Sequence, residues 1–173
     1  TKGDFDVAGI VGQSGSTLVV SRTDMNHAAE LYTVNLTNGQ MAQLTHVNDA
    51  TYAKLAMSKV EKRMVPTTDG KQMLVYVIYP PDFDPNKKYP VLFDLYGEPW
   101  GQTAVDSWGD MWHQMLAQNG YIVMTMDNRG TPCLKGREWR KSIYRKIGVL
   151  NSHDQAMATK EIMKWNFIDP ERI

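Results

Sequence analysis

The sequence predicts an α/β domain preceded by an all-β segment. Three observations predict it. Residues 1–56 alternate short β-prone runs with turn residues. Near Met57 the style changes to strands that alternate with helical segments. Among those strands is a nearly continuous apolar run, Val91-Leu92-Phe93, which suits a central strand covered on both faces.

In the first segment Phe5 to Val11 is apolar and β-prone, Gly12 to Ser16 reads as a turn, and Thr17 to Ser21 is a second strand. Glu30 to Leu36 alternates, with Leu31, Thr33 and Asn35 on one face and Tyr32, Val34 and Leu36 on the other. Thr37-Asn38-Gly39 makes a tight turn, since Asn and Gly tolerate positive φ. Gln40 to Thr45 returns as the partner strand. Four short strands in this length fit one blade of a β-propeller or any antiparallel meander.

In the second segment Val60–Val65 and Met73–Tyr79 read as strands around a Thr68-Asp69-Gly70 turn. Tyr89 to Tyr96 is a strand interrupted by Asp94. A helix is expected from about Ser107 to Gln118, with Trp108, Met111, Trp112, Met115 and Leu116 forming its apolar stripe. Ser107 with Asp110 suits its start, and Gly120 its end. Tyr121–Met126 is a strand and Gly136–Tyr144 a short helix. Ser152–Trp165 is a helix with Ser152 and Gln155 placed as a capping box. Asp169-Pro170 stops it, and Arg172-Ile173 open one more strand.

Composition narrows the function classes. Hydrophobic residues are 42% and charged residues 22% of 173, a globular balance. The 19 basic and 19 acidic side chains cancel, so no basic excess points to nucleic acid. Apolar runs are of strand length only. Cys133 is the single cysteine, so no internal disulfide forms.

Several motif matches carry no chemistry. Gly12-Gln13-Ser14-Gly15-Ser16 resembles a serine elbow, but its fifth residue is Ser and it sits in a hairpin. Ser152-His153-Asp154 holds the residue types of a triad, but helix neighbours point about 100° apart. Ser152 reads as a cap, and Asp154 as a charge at the positive end of the helix. The four histidines, His27, His46, His113 and His153, show no metal-ligand spacing. No cofactor is expected. Asn35-Leu36-Thr37 fits a glycosylation sequon.

An ordered series is more specific. Lys87-Lys88-Tyr89-Pro90-Val91-Leu92 leads into Asp94-Leu95-Tyr96-Gly97-Glu98-Pro99. Then come Asp127-Asn128-Arg129-Gly130-Thr131, Gly136-Arg137-Glu138-Trp139-Arg140, Asp154-Gln155 and Asp169-Pro170-Glu171-Arg172-Ile173. This series resembles the prolyl oligopeptidase family of serine peptidases, most closely its dipeptidyl peptidase IV branch. The resemblance implies that residues 1–56 end a β-propeller and that residues 57–173 begin an α/β-hydrolase domain. It also implies a Ser-His-Asp triad beyond Ile173, acidic substrate-gripping residues before Thr1, and no catalysis by this stretch alone.

The resemblance further implies release of N-terminal dipeptides, often after Pro or Ala, through an acyl-enzyme. Peptides are the partners it implies. The resemblance favours an exported or periplasmic setting and allows a full-length homodimer. Tyr96 matches the tyrosine that donates its hydroxyl to the oxyanion. Glu98 stands where the family pattern has Gly, which questions the loop's backbone and places a carboxylate near a developing negative charge. Asp127 and Arg129 carry an architectural expectation, with a buried Arg–carboxylate contact shaping the loop beside the site. Two other readings stay open: a non-catalytic homologue acting as a binding module, and an esterase on the same fold.

Overall fold

The computed structural model describes residues 2–173 except 68 and 134. The chain forms two compact units. One comprises Thr1–Met57 with Val105–Asp110, the other Ser58–Ala104 with Met111–Ile173.

The first unit is a four-stranded antiparallel sheet in chain order: β1 (Asp6–Ser14), β2 (Thr17–Asp24), β3 (His27–Asn35) and β4 (Met41–Gln43). The turn expected over Gly12–Ser16 is shorter. Gly12, Gln13 and Ser14 pair with Val19, Leu18 and Thr17, so only Gly15 and Ser16 connect the strands. Two residues suffice for a hairpin, and pairing therefore runs to its limit. A short helix α1 (Asp49–Tyr52) follows, and the Tyr52 ring lies 5.1 Å from that of Trp108. The Trp108 backbone N–H donates to Thr23 Oγ1 at 3.0 Å. The buried Glu30 accepts from the Thr45 hydroxyl, from the Asn48 backbone N–H at 2.9 Å and from Asn48 Nδ2 at 3.0 Å. It ties β3 to the chain leaving β4.

The second unit contains β5 (Val60–Pro66), β6 (Gln72–Ile78), β7 (Val91–Asp94), α2 (Met111–Gln118), β8 (Ile122–Met126), α3 (Gly136–Lys141) and α4 (Leu150–Ile162). Its sheet runs β5-β6-β8-β7, with β7 and β8 parallel and the other pairs antiparallel. Leu92 and Phe93 pair with Val123 and Met124, so the two apolar runs are parallel neighbours. Met73, Val75, Val77, Ile122, Met124 and Met126 form the centre of the core, with Ala158 and Ile162 of α4 packed on it. Thr68 of the expected β5–β6 turn lies outside the described residues. The Thr67 N–H still closes that turn on the Lys71 carbonyl at 2.7 Å.

Three sequence expectations are corrected here. β7 is not central: it is the outer strand of the described sheet, and Leu92 is partly exposed. Beyond it, the Val91 N–H donates to the Arg172 carbonyl at 2.9 Å, so residues after the Asp169-Pro170 stop come alongside its open side. Helix α2 starts at Met111 rather than 107, and Trp108 precedes it. Its buried face is Gln114 and Ala117, while Met111, Trp112 and Met115 are exposed. The reason is polar. Gln114 Oε1 accepts from the Ser58 N–H at 2.8 Å and Gln114 Nε2 donates to the Ser58 carbonyl at 3.0 Å. An apolar side chain there would leave both buried backbone groups unpaired. The capping box also fails. Helix α4 begins before Ser152, with Val149 as its N-cap and no side-chain cap, and Gln155 turns inward.

Candidate active site

The loops after β7 and β8 emerge side by side at the carboxyl ends of two parallel strands. In open α/β sheets this is where ligand-binding loops gather. The first loop carries Tyr96, Gly97 and Glu98, and the second carries Asp127, Asn128, Arg129 and Gly130.

Tyr96 is half exposed, and its hydroxyl has no hydrogen-bond partner among the described residues. Its ring lies against Gly101: a Cβ built there would meet the Tyr96 Cδ1 at 2.5 Å. The phenol is thus backed by the returning loop, and its donor is free for a bound molecule.

Two buried carboxamides grip the peptide unit after Tyr96. Asn128 Nδ2 donates to the Gly97 carbonyl at 3.1 Å, and Asn151 Nδ2 donates to the same oxygen at 2.9 Å. Asn128 is fully buried and also donates to the Arg129 carbonyl at 2.6 Å. Its Oδ1 accepts from Gln155 Nε2 at 2.8 Å, and Asn151 Oδ1 accepts from the Gly148 N–H at 2.8 Å. Gly97 holds φ at 78°, a left-handed value that favours glycine. Glu98 is exposed and is not among the residues with positive φ. The loop therefore takes its turn at Gly97, and the Glu in place of the family's Gly meets no backbone conflict.

Asp127 holds the far end of the same loop. Its carboxylate accepts from the Thr103 N–H at 2.9 Å, the Thr103 hydroxyl at 3.0 Å and the Ala104 N–H at 3.0 Å. The Tyr96 loop is pinned at both ends by two consecutive residues, Asp127 and Asn128.

Arg129 forms the buried ion pair anticipated for this segment, and its partner is Asp154. Arg129 Nε donates to Asp154 Oδ2 at 2.9 Å, Nη2 to Oδ1 at 2.5 Å, and the Arg129 backbone N–H to Oδ2 at 3.0 Å. Nη1 reaches Asp69 as well. The Asp154 carboxylate raises the guanidinium further above its ordinary range. The Asp69 carboxyl is lowered, first by the Thr67 hydroxyl at 2.7 Å and then by Arg129. Asp154 is wholly buried, so it serves this pair rather than the helix end. Gly130 follows with φ at 99°, and a Cβ there would meet Ile143 Cδ1 at 2.2 Å. Both constraints demand glycine.

Among the described residues no histidine pairs with Tyr96, Asp127, Asn128, Arg129 or Asp154. His113 lies 3.3 Å from Asp94, His27 2.8 Å from Asp24 and His46 2.9 Å from Asp49, while His153 is exposed. No group of three metal-ligating side chains occurs among the described residues.

Asn151 was not singled out by the sequence reading. A signal for it exists. Asn151, Asp154 and Gln155 recur at i, i+3 and i+4, a polar stripe that runs on into Ala158 and Ile162 of the core face.

Residues 108–173 match the family model of the prolyl oligopeptidase family. The chain as a whole is similar to named dipeptidyl peptidases. It is 37% identical over 171 residues to dipeptidyl-peptidase 5 of Porphyromonas endodontalis, covering 98% of this chain and 24% of that protein. A Bacteroides ovatus structure, provisionally described as a dipeptidyl aminopeptidase IV, superposes with a TM-score of 0.81 at 26% identity. That match covers 98% of this chain and 24% of the other. The acylaminoacyl peptidase of Pyrococcus horikoshii shares the fold, with a TM-score of 0.80 at 20% identity over 95% of this chain and 25% of its own. The chain spans about a quarter of the length of the curated relatives it matches.

Proposed function

We propose that the full-length protein is a serine peptidase releasing dipeptides from peptide N-termini, and that this chain supplies its oxyanion donor, Tyr96. On this reading residues 57–173 are the N-terminal part of an α/β-hydrolase domain. The triad Ser, Asp and His follows Ile173, and residues 1–56 are the last blade of a β-propeller. The four-stranded meander supports the blade. The β5-β6-β8-β7 order, with Arg172 beside β7, supports the hydrolase sheet.

The observation that carries the reading is the placement of Tyr96. Its free hydroxyl sits at the end of a parallel strand, on a loop whose next carbonyl is held by Asn128 and Asn151. When the serine oxygen attacks the peptide carbonyl, negative charge gathers on the carbonyl oxygen. Histidine takes the serine proton, and the Tyr96 O–H donates to the new oxyanion. Collapse expels the amine, protonated by the same histidine, and water then hydrolyses the acyl-enzyme. A preorganised donor does its work in the transition state, at about 3–4 kcal/mol.

The test is Tyr96→Phe in the full-length enzyme, which keeps the ring and removes the donor. Expected is a fall in kcat of about two to three orders of magnitude with little change in KM. Full activity would refute the assignment.

A further inference from the structure

Immediately beyond Tyr96, Pro99 and Trp100 form one wall of a cleft of about 790 Å³. Pro132, Ile143 and Ile147 supply apolar lining to the cleft. Five cations surround it: Lys135, Arg137, Arg140, Lys141 and Arg145. Among the described residues no Asp or Glu lines it. Lys135 is occupied, since it donates to the Gln72 carbonyl and lies 4.1 Å from the Trp139 ring. Among the described residues no carboxylate pairs with Arg137, Arg140, Lys141 or Arg145. Arg145 has a φ of 59° and is the one described non-glycine residue in the left-handed region. Such backbone is disfavoured and is found where function positions a side chain. Trp100 is 80% exposed, a large apolar surface at the mouth of the cleft.

We propose that this cleft is the subsite for an anionic leaving segment: the part of the peptide after the cleaved bond, carrying a carboxylate from Asp, Glu or a free C-terminus. The inference rests on the peptidase reading above and deepens it. In the uncleaved substrate the N-terminal dipeptide segment carries an ammonium as its obligatory charge, which five cations repel. The opposite, leaving segment ends in a carboxylate, which they attract, and planar guanidinium groups match carboxylate geometry. Trp100 and the apolar lining residues take the side chains beside that charge. The Tyr96 ring rests on Gly101, the residue after Trp100, so the segment that leaves the proposed oxyanion donor runs directly into the cleft wall.

The experiment uses the full-length enzyme and a peptide series with Glu, Gln or Lys at the second residue after the cleaved bond, all amidated at the C-terminus. A matched Gln peptide with a free carboxylate completes it. The Glu peptide is expected to have a KM about three- to tenfold below that of the Lys peptide, with the gap closing as salt is added. Arg137→Gln combined with Arg140→Gln is expected to equalise the two. Arg145→Gly, which suits the left-handed backbone, should keep the fold and shrink the preference. Lys87→Gln, an exposed cation outside the cleft, should leave the preference as it was. Equal KM values across the series, or a preference that survives the double substitution, overturn the subsite while leaving the peptidase reading intact. Failure to release a dipeptide from any peptide overturns both.

Discussion

The side chain of Asn151, on α4, donates to the carbonyl of Gly97, on the loop after β7, at 2.9 Å. Gly97 is the residue after Tyr96, so a helix remote in sequence sets the orientation of the candidate oxyanion donor. Asn151→Ala leaves the carbonyl to Asn128 alone and removes the acceptor of the Gly148 N–H. In the full-length enzyme kcat should fall about tenfold, with KM nearly unchanged, as one charge-neutral hydrogen bond of positioning implies. A double-mutant cycle with Tyr96→Phe checks the route. If Asn151 acts through Tyr96, its substitution should cost little more once the hydroxyl is gone.

Gly101 tests the same donor from its other side. Its φ is not in the left-handed region, so alanine suits the backbone, but the added Cβ would lie 2.5 Å from the Tyr96 ring. The ring must move. Gly101→Ala should lower kcat about tenfold or more through misplacement of the hydroxyl. Thermal unfolding should shift little. Unchanged kinetics would mean that the Tyr96 ring position is not critical.

Asp154→Ala leaves the Arg129 guanidinium with the half-exposed Asp69 as its one carboxylate partner among the described residues and frees the Arg129 backbone N–H. Breaking a buried pair from one side costs about 3–5 kcal/mol. Expected are a marked fall in melting temperature and faster proteolysis between β8 and α4. A variant as stable as the parent would show that the pair carries no such weight.

Glu30 supplies a pH dependence. The Thr45 hydroxyl and the Asn48 N–H hold its carboxyl below the usual range. A lowered folded-state value contributes stability above the unfolded value, and that contribution is lost as pH falls through the folded one. Protection of the Asn48 amide, corrected for intrinsic exchange, should therefore decline in acid below about pH 4.5, the region where a free Glu protonates. Glu30→Gln should start lower and show a flatter profile. Identical profiles would remove Glu30 from this role.

Much of the fold was legible because its signals are local. Alternation over Glu30–Leu36 and the Asn38-Gly39 turn specify a hairpin whatever surrounds them, and the structure pairs Tyr32 with Gln43 as that requires. The apolar runs at Val91 and Ile122 read as strands from their side chains alone. The helix faces were harder to read. The apolar stripe of α2 predicted the wrong buried side, since the two hydrogen bonds exchanged between Gln114 and the Ser58 backbone outweigh the pull of Met111 and Met115. Gln155 looked like half of a cap and is instead a strut beneath Asn128.

By itself, then, the sequence determined the element types, the change from antiparallel meander to α/β alternation near Met57, and the motif series that led to Tyr96. Each is encoded by neighbours a few residues apart, where periodicity and turn chemistry act. Only the tertiary structure decided that Asp127 and Asn128 hold opposite ends of one loop, that Arg129 pairs with Asp154, and that Asn151 reaches Gly97. Those contacts join residues 23 to 54 positions apart, the longest being Asn151 with Gly97. A buried donor must find an acceptor, but which acceptor is fixed by where the packed core brings the backbone, and no local pattern records that.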